Sequence, residues 1–184
     1  ALIGSDFGAD ERAQMIAALT TNVTRFFREP HHFEHLKTKL LGPAQKEIKS
    51  GRRFRIWSAG CSSGQEPFSI ALSIRSRAPG ARSYNVRVLA TDINPHVLDT
   101  ARKGIYPADE VSSVPPDLRR SWTEPAGGGM VKLDDGLRAL VSYRQLNLMG
   151  AWPMSGPFDA IFCRNVIIYF DEATQKKILT RMAA

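Results

Sequence analysis

Short apolar segments alternate with amphipathic helical segments in the middle of this chain, and this alternation constrains the fold more than any other feature. Phe54 to Trp57 predicts a short strand, Pro67 to Arg77 predicts a helix with apolar side chains turned inward, and Val86 to Thr91 predicts a second strand. Asn94 is a suitable cap for the next helix, and Gly104 is a suitable end for it. Strands that alternate with helices in this way predict a parallel sheet with helices on both faces.

A segment rich in proline, glycine and charge interrupts the alternation between Tyr106 and Leu140, and we predict a small insertion there rather than another crossover helix. Val141 to Gln145 and Phe158 to Cys163 then predict two more strands, and Asp171 is a suitable cap for a final helix. Four strands are fewer than the roughly five to seven of a complete doubly wound sheet. We therefore expect an α/β sheet that is incomplete at the C-terminus.

The first part of the chain predicts helices. Residues 1–41 are expected to be helical, Gly42-Pro43 to end that helix, and a short basic helix to follow to about Ser50. No apolar run is long enough to span a membrane, and no charged-then-apolar leader precedes residue 30. We therefore expect a cytoplasmic protein, and an apolar content of 43% is enough for a packed core.

The turn after the first predicted strand carries the first chemical signal. Gly60 and Gly64 bracket it, and Glu66 opens the following helix. Open α/β sheets bind ligands at the carboxyl ends of their strands, which is where this turn lies. A dinucleotide-binding turn would offer unpaired helix N–H groups to a phosphate at this point. An anionic Glu66 disfavours a phosphate and suits a cation, such as the ammonium of a methionine moiety. The alternative is a glutamate that only complements the helix dipole.

Polar groups follow the other predicted strands as well. Asp92 ends the second strand, where an acidic side chain can accept both hydroxyls of a ribose, although it could instead form only a local turn. Asn147-Leu148 and Arg164-Asn165 follow the later strands and are expected at the same crevice. Glu66 and Asp92 together, without a phosphate-binding motif, indicate an adenosyl ligand that lacks phosphates.

Metal binding is not predicted. Two cysteines are too few for a disulfide scaffold or a cysteine-rich zinc site. His31 and His35 have the spacing of a ligand pair on a helix, but the sequence offers no third ligand close to them.

The net charge of +7 is unevenly distributed, since Thr21 to Arg55 holds nine Lys and Arg against three Asp and Glu. A basic surface attracts anionic partners such as nucleic acid, a membrane surface or an acidic protein. The alternative is an ordinary solvated helix surface.

Five segments in order resemble one known family, the chemotaxis receptor methyltransferases of the CheR type. They are T-N-V-T-R-F-F-R-E, W-S-A-G-C-S-S-G-Q-E-P-F-S-I-A, A-T-D-I-N-P, A-R-K-G-I-Y-P and F-C-R-N-V-I-I-Y-F. The resemblance extends from about Thr20 to the C-terminus, and five segments in register are far more specific than any one of them.

The resemblance implies a Rossmann-like enzyme that transfers a methyl group from S-adenosylmethionine to receptor glutamates, leaving S-adenosylhomocysteine. The candidate catalytic residues that it implies are Arg28 and Tyr169. The cofactor contacts that it implies are Asn22, Thr24, Arg28, Glu66, Asp92, Asn147, Leu148, Arg164 and Asn165. Without the resemblance, helix capping would explain Asn22 and Thr24, a surface charge Arg28, and core packing Tyr169.

The resemblance also implies a division of the chain. Residues 1–45 are expected to be the remnant of a helical N-terminal domain with its linker, and residues 46–184 the methyltransferase domain. The insertion at about 106–140 resembles the family's small antiparallel β-subdomain, which in some members docks a receptor tail peptide. The expected partners are the acidic cytoplasmic helices of membrane chemoreceptors.

Two rival interpretations remain at this stage. A nucleic-acid methyltransferase would share the fold and the basic charge, but amino-methylating enzymes of that class carry a proline-containing turn where Asn165 is followed by Val166-Ile167. We therefore expect no nucleic-acid partner. A non-enzymatic sensor or scaffold is the second alternative, and the presence of Arg28 and Tyr169 argues against it.

Overall fold

A computed structural model describes residues 23–77 and 85–183 of the protein. Its centre is a four-stranded parallel sheet in the order β6-β2-β1-β7. The strands are β1 (Phe54–Ala59), β2 (Val86–Asp92), β6 (Val141–Gln145) and β7 (Ala160–Phe162). The predicted parallel α/β sheet is therefore confirmed, and its four strands lie where the sequence predicts them, the last being shorter than expected.

The sheet separates two apolar clusters because successive side chains of a strand point to opposite faces. On β1, Phe54 and Ile56 belong to the larger cluster, whereas Trp57 and Ala59 belong to the smaller one. Because the sheet is covered on both faces, every residue of β1 except Arg55 is buried.

Helices cover both faces of the sheet. The helices of this part of the chain are α1 (His31–His35), α2 (Gly42–Lys49), α3 (Gln65–Arg77), α4 (Pro95–Lys103) and α7 (Glu172–Ala183). Helix α3 contributes Phe68, Ile70 and Leu72 to the larger cluster, and α7 contributes Ile178 to the smaller one. The capping predictions are confirmed: the Asn94 side chain accepts a hydrogen bond from the His96 N–H, and Gly104 ends α4 in a left-handed conformation.

The insertion forms a second, antiparallel sheet of three strands in the order β3-β5-β4. Its elements are β3 (Ile105–Pro107), a 3₁₀ turn (Glu110–Ser113), α5 (Pro116–Trp122), β4 (Thr123–Gly127), β5 (Met130–Leu133) and α6 (Asp135–Arg138). The small antiparallel β insertion that the resemblance implied is therefore present.

Two sequence predictions about the N-terminal part are wrong. Residues 23–30 are irregular rather than helical, because Phe27 and Glu29 adopt the left-handed region at φ +51° and +56°. The helix that follows does not end at Gly42-Pro43. A π-helical segment (Leu36–Leu41) connects α1 to α2, and the Gly42 N–H bonds to the Lys37 carbonyl five residues back. This wider turn accommodates a proline, which has no N–H to donate and would crowd an ordinary α-turn.

The part of the predicted N-terminal helix that covers residues 1–22 lies outside the described residues. Among the residues that are described, no helix combines the length and the apolar character needed to cross a bilayer.

The tight packing of Gly64 gives a stability prediction. Gly64 has φ +100°, and a Cβ added there would lie 2.8 Å from both Ala101 Cβ and Tyr106 Oη. Gly64→Ala should therefore combine backbone strain of about 1–2 kcal/mol with an overpacking cost of about 1–3 kcal/mol. Chemical denaturation measures the free energy of unfolding.

Gly51 is the matched control. It has a similar φ of +98°, but an added Cβ would meet nothing within 4 Å. Gly51→Ala should therefore cost only the backbone strain, and equal losses for the two variants would contradict the packing argument.

Candidate functional site

A cavity of about 370 Å³ lies at the carboxyl edge of the parallel sheet. The chain enters its wall directly after each of the four strands, as expected where parallel strands end together. Nine of the sequence-predicted site residues line it: Thr24, Arg28, Glu66, Asp92, Asn147, Leu148, Arg164, Asn165 and Tyr169. Asn22 lies outside the described residues. The structure brings these nine together, while the role of each stays a prediction.

The turn after β1 is held close to the end of the neighbouring strand β2. The N–H groups of Gly60 and Cys61 both donate to the Thr91 carbonyl, at 2.8 and 2.9 Å. A Cβ added to Gly60, which has φ +77°, would lie 3.0 Å from Val166 Cβ. Glycine is therefore required here by close approach as well as by conformation, and the backbone itself forms part of the cavity wall.

Glu66 presents a largely buried carboxylate to the cavity. Ser58 Oγ donates to Glu66 Oε1 at 2.7 Å, and Arg164 Nη1 donates to Glu66 Oε2 at 3.2 Å. Burial raises the pKa of the Glu66 carboxyl, and its hydrogen bonds with Ser58 and Arg164 oppose that rise. The carboxylate is therefore held in place but incompletely compensated, which favours a cationic ligand group.

Asp92 ends β2 with its carboxylate fixed by backbone donors. The Ser62 N–H donates to Oδ2 at 2.8 Å and the Asn94 N–H donates to Oδ1 at 3.0 Å. Burial raises the pKa of the Asp92 carboxyl, and these hydrogen bonds oppose the rise. Each oxygen of an ionised carboxylate can accept more than one hydrogen bond, so Asp92 can still accept from the two hydroxyls of a ribose.

Arg164 joins three segments around the cavity. Its Nη2 donates to the Arg28 carbonyl at 2.6 Å and to Glu29 Oε2 at 3.1 Å, while Nη1 reaches Glu66. Its guanidinium lies 5.4 Å from the centre of the Phe33 ring. The hydrogen bond from Arg164 lowers the pKa of the exposed Glu29 carboxyl.

Strained backbone is concentrated next to this cavity. In the described ranges, the non-glycine residues in the left-handed region are Phe27, Glu29, Ser62 and Asn165. Ser62 and Asn165 line the cavity, and Phe27 and Glu29 flank Arg28, which also lines it. Such conformations cost about 1–3 kcal/mol each and persist where the surroundings enforce them. Their concentration here makes this region the candidate functional site.

Arg28 and Tyr169 both line the cavity, and both reach solvent, Arg28 in part. Arg28 Nη1 donates to the Val23 carbonyl at 2.9 Å. Tyr169 is 62% exposed at the end of a 3₁₀ turn (Ile167–Tyr169). Both side chains are therefore accessible to a second molecule that approaches the cavity from solvent.

Sequence reasoning missed Glu29. It accepts from Arg164 and, at 3.4 Å, from Asn165 Nδ2, so it connects the loop that carries Arg28 to the end of β7. The available signal was the acid directly after Arg28 in a segment already singled out for its polar residues. Its distant partners could not be read from the sequence, because they lie more than a hundred residues further along the chain.

The structure also gathers Glu29, His31 and His32, whose potential ligand atoms lie within 4.8 Å of one another. This group differs from the pair of His31 and His35 that the spacing suggested. Arg164 already pairs with the Glu29 carboxylate at 3.1 Å, and a guanidinium at that distance opposes a second cation.

The sequence matches the family described as CheR methyltransferase, SAM binding domain, over residues 22–184. The chain belongs to the CheR methyltransferase family. The residues that line the cavity fall within the matched range.

Named relatives agree with this membership. A probable chemotaxis protein methyltransferase of Rhizobium etli is 49% identical over 99% of this chain and 69% of its own length. Chemotaxis protein methyltransferase 2 of Pseudomonas aeruginosa is 43% identical over 95% of this chain and 62% of its own length. The chemotaxis protein methyltransferase of Borreliella burgdorferi is 40% identical over 91% of this chain. The chain thus spans between 61% and 69% of the length of these three relatives.

The family's cofactor is S-adenosylmethionine, and the cavity fits it. Glu66 would offer a carboxylate to the methionine ammonium, and Asp92 would offer acceptors to the ribose hydroxyls. Ile93 and Leu148 are apolar lining residues that would suit an adenine ring. The absence of phosphates from this cofactor agrees with an acidic rather than a bare helix start after β1.

Cofactor binding should depend on the charge of Glu66. Glu66→Gln should weaken S-adenosylhomocysteine binding roughly 10- to 100-fold, because a hydrogen bond to a charged group is lost. It should also lower the melting temperature, because the largely buried Arg164 guanidinium loses one of its charged partners. Calorimetric titration and thermal unfolding measure the two effects.

The affinity for S-adenosylhomocysteine should also depend on pH. Because the pKa values of Glu66 and Asp92 are raised, affinity in the parent should decline on acidification before an ordinary carboxyl would protonate. The decline should be shallower in Glu66→Gln. Glu172→Gln, which changes an exposed carboxylate in the first turn of α7, is the control and should leave affinity unchanged. Parent-like affinity in Glu66→Gln would contradict the assigned contact.

Proposed function

We propose that this protein methylates glutamate side-chain carboxylates of chemotaxis receptors, giving glutamyl methyl esters and S-adenosylhomocysteine. The observation that carries the proposal is the position of Arg28. It is partly exposed and lines the same cavity as the carboxylates of Glu66 and Asp92, in a loop with left-handed residues on both sides of it. A partly exposed cationic side chain in a cavity that favours a cationic cofactor is best explained by an anionic acceptor.

The cavity lining suits a reaction that needs no general base. A glutamate carboxylate has an ordinary pKa of about 4.3 and is already ionised at neutral pH. Among the described residues, the lining contains no histidine or lysine. Burial raises the pKa of the Cys61 thiol well above its usual value, so Cys61 is not a thiolate nucleophile at neutral pH.

The cofactor supplies an electrophilic methyl group on a sulfonium. Arg28 would orient the acceptor carboxylate through charge-assisted hydrogen bonds. Tyr169 would shape the acceptor side of the entrance and donate from its hydroxyl. Alignment of the two reactants can account for about 7–11 kcal/mol of the barrier, which is the main contribution that these residues would make.

The remaining cofactor contacts are proposed from their positions in the lining. Thr24, Asn147, Leu148 and Asn165 would contact the cofactor directly. Arg164 would act on it mainly through Glu66, since its guanidinium already bonds to Glu66, Glu29 and the Arg28 carbonyl.

The proposed partners are the acidic cytoplasmic helices of chemoreceptors, with the enzyme itself in the cytoplasm. The basic segment from Thr21 to Arg55 supports this choice, because a positive surface accelerates encounter with an acidic helix and does so less at high salt. We also propose that the insertion sheet is where a receptor tail peptide docks. Its β4 strand is a largely exposed edge that can pair with an extended chain.

Arg28→Ala should separate binding from turnover. We expect S-adenosylhomocysteine affinity within about tenfold of the parent but a loss of most turnover, about 10²-fold or more, because orientation of the acceptor is lost. Radiolabelled methyl transfer and calorimetry measure the two quantities. Arg53→Ala removes an exposed arginine outside the cavity lining and should retain turnover. Equal turnover in Arg28→Ala and the parent would exclude the proposed role.

The nature of the product tests the function itself. Methyl-labelled S-adenosylmethionine is incubated with the protein and receptor-containing membranes, and the labelled protein is then treated with mild base. A carboxyl ester should release volatile labelled methanol. A base-stable label, or label in added nucleic acid instead of receptor, would exclude glutamate methylation.

A further inference from the structure

Tyr106 and Ser63 form a hydrogen-bonded pair just outside the cavity lining. Tyr106, in β3, is only 1% exposed, and its Oη donates to the Ser63 carbonyl at 2.8 Å. Ser63 follows Ser62, which lines the cavity and donates its N–H to Asp92. The insertion therefore has a direct hydrogen bond to the turn that carries part of the cofactor-binding wall.

Two more contacts reinforce this connection. The approach at Gly64 is so close that an added Cβ would lie 2.8 Å from Tyr106 Oη. Gln65, which is 3% exposed, donates from Nε2 to Glu110 Oε2 at 3.1 Å. The turn from Ser63 to Gln65 is thus packed and hydrogen-bonded against the insertion along its whole length.

The same part of the insertion also reaches the loop that carries Arg28. Ser113 Oγ donates to the Phe26 carbonyl at 3.1 Å and lies 3.5 Å from the Glu110 carbonyl. The rings of Phe26 and Tyr106 meet edge to face at a centroid distance of 5.1 Å. Phe26 is 1% exposed and precedes Arg28 by two residues, so its position fixes where that loop leaves the core.

We infer that Tyr106 and Ser113 are positioning residues, Tyr106 for the cofactor turn and Ser113 for the acceptor loop, and that the insertion holds these two parts of the site in register. The inference has two halves. Its cofactor half, the role of Tyr106, rests on family membership alone. Its acceptor half, the role of Ser113, rests on the proposed function, because only that function gives Arg28 an acceptor to orient.

The physical basis is the cost of an unpaired buried group. Without the Tyr106 hydroxyl, the Ser63 carbonyl would lose its donor beside a residue held at a positive φ, and the turn would relax. Relaxation would move the Ser62 N–H away from Asp92. Loss of the Ser113 hydroxyl would instead free the loop before Arg28 and leave the cofactor turn bonded to Tyr106.

Tyr106→Phe tests the cofactor half, and Tyr143→Phe is its matched control. Both tyrosines are buried and pack on Phe68 at centroid distances of 6.2 and 6.1 Å, but Tyr143 Oη has no hydrogen-bond partner among the described residues. Calorimetry on the full chain should show S-adenosylhomocysteine affinity reduced about five- to tenfold in Tyr106→Phe and unchanged in Tyr143→Phe. Thermal unfolding of both confirms that they are folded. Equal affinities in these two variants would overturn this half.

Ser113→Ala tests the acceptor half, with Ser112→Ala as the control in the same turn. At saturating S-adenosylmethionine, Ser113→Ala should lower kcat about five- to tenfold with cofactor affinity kept within about twofold, whereas Ser112→Ala should match the parent. A general loss of structure would weaken cofactor binding and turnover together. That outcome, or parent-like turnover in Ser113→Ala, would overturn this half.

The two failures can be told apart. If the parent transfers no base-labile methyl group to receptor membranes, the proposed function fails and the acceptor half fails with it. The calorimetric comparison of Tyr106→Phe with Tyr143→Phe needs no acceptor and still decides the cofactor half.

Discussion

The shared ion pair of Arg164 with Glu66 and Glu29 is the interaction on which the site depends. One guanidinium connects the start of α3, the loop that carries Arg28 and the end of β7. The Arg164 side chain is only 12% exposed, and a buried charge is tolerated only when its partners are present. The same guanidinium therefore partly compensates the Glu66 carboxylate and holds the loop that carries Arg28. In the proposed function, this contact would link binding of the cofactor to placement of the acceptor.

Local strain at the site is compensated by packing elsewhere. Phe27, Glu29, Ser62 and Asn165 adopt conformations that are unfavourable in isolation. The Phe27 N–H donates to Ser69 Oγ on buried helix α3, and Ser62 donates to Asp92. The insertion adds the contacts of Tyr106 and Ser113. The parallel sheet thus acts as a scaffold for the irregular loops that line the cavity, which is the usual division between scaffold and functional loops.

Regular elements could be predicted from the sequence because their signals are local. The strand predicted at Phe54 to Trp57 and the cap at Asn94 depend on neighbours in the chain, and both are confirmed. The predicted break at Gly42-Pro43 is wrong because a π-helical segment accommodates the proline, and packing of Leu36, Leu41 and Ile48 into the core favours one continuous helical path. The helix predicted to include residues 23–30 is wrong because tertiary contacts hold Phe27 and Glu29 in left-handed conformations.

By itself, the sequence determined the fold class, the order of the elements and the type of chemistry. Glu66 and Asp92 after successive strands indicate an adenosyl ligand, since parallel strands deliver their carboxyl ends to one edge. Only the tertiary structure decided how these groups are held. Glu29 meets Arg164, and Tyr106 meets Ser63, across separations of 135 and 43 residues. No local pattern encodes such a meeting, because it depends on the paths of all the segments packed between the two partners.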